Sequence, residues 1–154
     1  MGLKERLQDD LKAALRAGDA RRKSVIRMAL AAITNAEIEK GRRSGQTELD
    51  QDELVAVLQK QAKQRRETIE ELEGMDRPDL LAAEKEELVI LEEYLPEQLS
   101  REEIIEEARK VIEEVGATGM RDMGPVVGRL MSKRKGRADG HTVNEVVREL
   151  LTSE

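Results

Sequence analysis

The sequence has no cysteine, no phenylalanine, no tryptophan and a single tyrosine. Without cysteine there can be no disulfide, no thiolate metal site and no thiol nucleophile. Without aromatics a β-sandwich core is hard to build, because strands draw on aromatic and β-branched side chains. The flat rings on which single-stranded bases stack are missing too. No apolar run approaches the roughly 20 residues that cross a bilayer, and the N-terminal MGLKERLQDD lacks the apolar centre of a secretory leader. Met-Gly begins a myristoylation pattern, but Arg6 stands where Ser or Thr is needed. These absences lead us to expect a cytoplasmic protein that contacts no membrane.

Leu, Ala, Ile, Val, Met, Glu, Lys, Arg and Gln are what is present, and they are helix formers with aliphatic filler. Over 154 residues, 39% charged and 38% hydrophobic, this composition predicts an all-α protein with an aliphatic core. Leu3, Leu7, Leu11 and Leu15 mark a first amphipathic helix. Asp19 caps a second, from about Ala20 to Lys40, whose centre from Val25 to Ile33 is apolar nearly all round and is expected to be deeply buried. A polar loop, GRRSGQTEL, is expected from Gly41 to Leu49. The pair Asp50 and Glu53 then reads as a capping box for a third helix running to about Glu73, with a polar waist at Lys60–Arg66. Pro78 opens a fourth helix carrying Leu80, Leu81, Leu88, Ile90 and Leu91. Glu runs on the fourth and fifth helices read as solvated faces.

Leu95-Pro96 breaks the pattern, since the residue before proline is disfavoured in the α region. A domain boundary is expected there, giving an N-terminal four-helix part, residues 1–95, and a C-terminal three-helix bundle, residues 96–154. Ser100 and Glu103 form a second capping box, and Asp139 is the expected N-cap of the last helix.

Chemistry-bearing motifs are few. The lone histidine, His141, sits in the first turn of the last helix, with no serine in a nucleophile context to serve, and reads as a surface or capping-region residue. One His and no Cys leave too few ligands for a structural zinc site. The phosphate-loop and dinucleotide glycine motifs are absent. We expect no metal, no cofactor and no catalytic residues.

One run stands out against a net charge of −6. Between Met123 and Ala138 there is no acid, while Arg129, Lys133, Arg134, Lys135 and Arg137 are all basic and Gly136 lies among them. Such a run suits contact with a phosphate backbone, which is carried by Lys and Arg charge. Without stacking rings it suits a folded RNA read by shape, and no DNA partner is expected. The alternative is a solvated loop whose cations pair with neighbouring glutamates. Gly124 and Gly128, four apart, are expected to let the sixth helix pack closely on the fifth or seventh. Lys60, Lys63 and Arg66 form a possible second basic face on the third helix, with salt-bridging to Glu67 and Glu70 as the ordinary reading.

The stretches KQAKQRRETIEEL, DLLAAEKEELVILEEYLPEQLSREEI and DMGPVVGRLMSKRKGRADGHTVNEVVRELL resemble, in order and spacing, the YqeY-like family described by a GatB/YqeY domain. The last block is also similar to the C-terminal tail of the B subunit of the tRNA-dependent Asp/Glu amidotransferase. The resemblance implies an all-α fold with a multihelical part before a three-helix bundle. It also implies a tRNA-facing module, and the motif falls here on Gly124, Gly128, Lys135, Gly136, Arg137, Ala138, Asp139 and Gly140. An accessory module for tRNA or a tRNA-handling protein complex is the leading expectation. A glutamine-dependent carbon–nitrogen ligase, as the family is labelled, and a protein-interaction adaptor are the alternatives.

Overall fold

The computed structural model describes residues 2–152. Among them are seven α-helices and one short 3-10 turn, and no strand. The helices are α1 (Leu3–Ala17), α2 (Ala20–Ser44), α3 (Gln51–Glu73), α4 (Pro78–Glu92), α5 (Arg101–Val115), α6 (Met123–Lys133) and α7 (Gly140–Thr152). The protein is all-α, with four helices followed by three. No helix among the described residues is long and apolar enough to cross a membrane. The chain divides into two compact units at Pro96–Glu97.

In the first unit α2 packs against α1, α3 and α4. Its core holds Leu3 and Leu7 from α1, Val25, Ile26, Ala29 and Ile33 from α2, Leu54, Leu58 and Ala62 from α3, and Leu91, Tyr94 and Leu95. Each fully buried Leu or Ile here contributes about 1.5–3 kcal/mol. The lone tyrosine is a core residue with a polar tip. Tyr94 is 4% exposed, its hydroxyl donates to the Asp10 carboxylate, and the Arg6 guanidinium lies 5.1 Å from its ring centroid. Burial, then the Asp10 hydrogen bond, pushes the phenol up to about 12.

Two sequence expectations for this unit change. Helix α2 does not stop at Gly41 but runs to Ser44, where Gly45 closes it in the left-handed region and donates to the Gly41 carbonyl at 2.9 Å. Gly41 matters for another reason: a Cβ there would lie 2.8 Å from Thr47 Cγ2, so its missing side chain lets the following loop fold back. The centre of α2 is not buried all round, since Met28 is 52% exposed. The polar waist of α3 is presented in part to α4. Arg65 is only 8% exposed and bonds Glu87 at 2.8 Å and Glu84 at 3.3 Å on α4. The capping box at Asp50 and Glu53 is present as expected.

The second unit is a three-helix bundle in which α5, α6 and α7 each touch the other two. Ile104, Ala108 and Val111 meet Val126 and Leu130, with Val143, Val146 and Val147 closing the third side. The Ser100–Glu103 capping box starts α5, and Asp139 caps α7, accepting from Thr142 N at 3.3 Å and Thr142 Oγ1 at 2.9 Å.

Candidate nucleic-acid interface

Helix α6 begins Met-Gly-Pro, and Pro125 is tolerated because a first-turn N–H has no partner within the helix. Val126 and Leu130 turn inward. Gly124, Pro125, Gly128, Arg129, Ser132 and Lys133 face outward. Gly124 and Gly128 therefore do not serve packing as expected: a Cβ on either would meet nothing within 4 Å. The spacing is right for one helix face, but the face is the solvent one. It is a strip of bare backbone and small side chains with Arg129 and Lys133 along one edge.

The basic run is partly neutralised from α5. Arg129 Nε donates to Glu114 at 2.9 Å and Lys133 Nζ to the same carboxylate at 3.3 Å, while Arg134 donates to Glu107 at 2.9 Å. Glu114 and Glu107 are held below the usual carboxylate range, the first by Arg129 and Lys133, the second by Arg134. Lys110 also reaches Glu107, at 3.8 Å. Two of these cations, Arg129 and Lys133, share the single carboxylate of Glu114. Arg129 and Lys135 are exposed.

The loop itself is built, and its other half lies in a stretch that the sequence pattern marks only as a boundary. Gln98 Nε2 donates to the Gly136 carbonyl at 2.8 Å, Leu99 N donates to the Arg137 carbonyl at 2.8 Å, and Arg137 Nε donates to the Glu97 carbonyl at 3.0 Å. Ala138, 3% exposed, drops into the core beneath. Gly136 turns the chain at φ 77°, a left-handed conformation that disfavours any side chain. So PEQLS and KGRADG, separated in sequence, are one hydrogen-bonded piece. Nothing in the spacing alone could have paired them.

Other expected residues lie elsewhere. Lys60 and Lys63 are exposed on α3, but Arg66 turns away from them to Glu92 at 3.1 Å, so the three do not form one basic face. His141 is exposed, with Nε2 3.3 Å from Glu145 one turn on. Among the described residues no group of three or more His, Asp or Glu could hold a metal ion.

The fold and this loop define a class: an all-α protein of two helical units, the second a three-helix module presenting a cation-edged helix face. The chain belongs to the YqeY-like family, whose pattern matches residues 4–151. It is 32% identical over 152 residues to "Altered inheritance of mitochondria protein 41, mitochondrial" of Pyrenophora tritici-repentis, covering 95% of this chain and 79% of that one. It is 41% identical over 101 residues to the protein of the same name from Kluyveromyces lactis, covering 64% of this chain and about half, 52%, of the relative. It is also 38% identical over 76 residues to a glutamyl-tRNA(Gln) amidotransferase subunit from Thermococcus sibiricus, covering 49% of this chain but 11% of that protein. The amidotransferase relation thus concerns a small part of a much larger protein. The expectation of a cytoplasmic location is overturned, because relatives matched along most of this chain are named mitochondrial. The missing cysteines on which it leaned mark no compartment, since a thiol-free chain is indifferent to redox surroundings.

Proposed function

We propose that this chain is an accessory module that binds tRNA, or a complex that handles tRNA, through α6 and the loop after it, and catalyses no reaction itself. The observation that carries the proposal is the outward face of α6. At Gly124 and Gly128 nothing stands between the helix backbone and an approaching ligand. A sugar–phosphate backbone can lie close there, with Arg129 and Lys133 beside it and Lys135 at its end. The loop after α6 is fastened to residues 97–99 through Gly136 and Arg137, which lowers the ordering cost of binding at the loop. The similarity of about half the chain to part of an amidotransferase named for Glu-tRNA supports tRNA as the polyanion.

The test is a titration of tRNA by fluorescence anisotropy across a salt series. Each phosphate-contacting lysine removed lowers the salt slope by about 1, so the Lys133→Ala/Lys135→Ala variant is expected to bind more weakly with a slope lower by about 2. Unchanged affinity and slope in that variant would remove the site. Glutamine-dependent amidation of Glu-tRNA by the chain alone would overturn the non-catalytic reading.

A further inference from the structure

The α3–α4 hairpin continues well past the core it belongs to. The main core cluster of the first unit reaches only to Ala62 on α3 and back to Leu88 on α4, and beyond Ala62 only Arg65 and Ile69 of α3 are buried. Arg65 ties the two helices together at Glu84 and Glu87. Beyond that tie α3 runs on for eight residues to Glu73, about 12 Å at 1.5 Å per residue. This distal part is apolar. Met75 is 60% exposed and Leu80 42%, with Leu72 and Leu81 half-buried beside them.

It is also strongly acidic. From Glu67 to Ala83 there are six acids (Glu67, Glu70, Glu71, Glu73, Asp76, Asp79) and one base, Arg77, a net −5 in a chain whose total is −6. Three of those acids, Glu70, Glu71 and Glu73, crowd the C-terminal end of α3, which has no basic residue in its own last turn, although Lys85 of α4 comes within 4.0 Å of Glu73. That end is the negative pole of the helix, where carboxylates destabilise. A local rule broken at an exposed apolar surface marks a place shaped for something other than stability.

We propose that the distal hairpin, residues 69–83, is a docking surface for a lysine- or arginine-rich amphipathic helix of another protein. The carboxylates attract and orient the cations, and Met75, Leu80 and their half-buried neighbours take the apolar stripe. Methionine suits this role, being flexible and polarisable enough to fit more than one partner. A nucleic acid is repelled from a surface of this charge, and so is a second copy of the same hairpin.

The test uses the whole chain with labelled methionine methyl groups and a short Leu/Lys amphipathic peptide as probe, against a Leu/Glu peptide of the same pattern. Met75 reports on the hairpin, Met28 on α2, and Met123 and Met131 on α6. The Leu/Lys peptide is expected to shift the Met75 resonance and leave the other three in place, and the Leu/Glu peptide to shift none. Leu80→Ser is expected to weaken the Leu/Lys peptide about fivefold to tenfold, and Glu70→Gln/Glu71→Gln/Glu73→Gln to weaken it and flatten its salt dependence. Circular dichroism establishes that both variants are folded. Binding of the Leu/Lys peptide by both variants as tightly as by the wild type, a shift confined to Met123 and Met131, or no shift at all would overturn the proposal. So would a Met75 shift that follows protein concentration without peptide, since the occupant would then be a second copy. Because the tRNA proposal rests on α6 and this one on α3 and α4, either can fail without the other.

Discussion

Two pairs of basic residues in this chain look alike in the sequence and behave oppositely in the fold. Arg65 and Arg66 on α3 turn toward α4, where Glu84, Glu87 and Glu92 meet them. Arg129, with Lys133, stays on the surface of α6, where both share the single carboxylate of Glu114. The first set is consumed in holding a hairpin together, and in the second two cations share one carboxylate. A basic run therefore says little about a surface until the carboxylates facing it are counted. It also matters whether those carboxylates are buried with it or stand in water.

The contrast is sharpest in stability. Removing Arg65 leaves two partly buried carboxylates facing each other, and breaking such a pair from one side costs about 3 kcal/mol or more. Arg65→Ala is expected to lower the denaturant midpoint of the first unit accordingly. Arg129→Ala removes one arm of an exposed ion pair and is expected to cost about 0–1 kcal/mol. Equal losses for the two would erase the distinction.

The second way to probe the first unit is by pH. Tyr94 is the chain's only tyrosine and there is no tryptophan, so absorbance near the phenolate band reports this one residue. Its folded pKa, about 12, lies above the ordinary value near 10. The neutral phenol is therefore favoured by folding. Its contribution to stability is complete below pH 10 and is lost as the pH rises from there through about 12. The titration midpoint is expected near 12 in buffer and near 10 in urea, and Tyr94→Phe is expected to flatten the alkaline fall in stability. A native midpoint near 10 would mean that the phenol is not buried against Asp10.

Much of this architecture could be read from residue order. The leucine spacing of α1, the capping boxes at Asp50 and Ser100 and the Asp139 cap all follow from local chemistry, which is why they appear where expected. Local chemistry could not tell which face of α6 looks outward. Gly124 and Gly128 share a face by spacing alone, but whether that face meets a helix or water depends on where Val126 and Leu130 find partners. Gly41 misled for a related reason, since it reads as a stop and acts as a close approach to Thr47. The hydrogen bonds from residues 97–99 to 136–137 join segments far apart in sequence, so no window of sequence contains them.

If the bare face of α6 receives a ligand, the most direct measurement is the tRNA affinity of the Gly128→Gln variant; Gly124 is left alone because a side chain on a helical residue before Pro125 would be strained. Position 128 opens onto empty space, and glycine inside a helix costs about 0.5–1 kcal/mol relative to a better helix former. The variant is therefore expected to be as stable as the wild type or more so. Its neutral side chain blocks close approach without removing charge, so tRNA affinity is expected to fall about tenfold, about 1.4 kcal/mol, with little change in salt slope. A folded variant that binds tRNA as tightly as the wild type would contradict a ligand on this face.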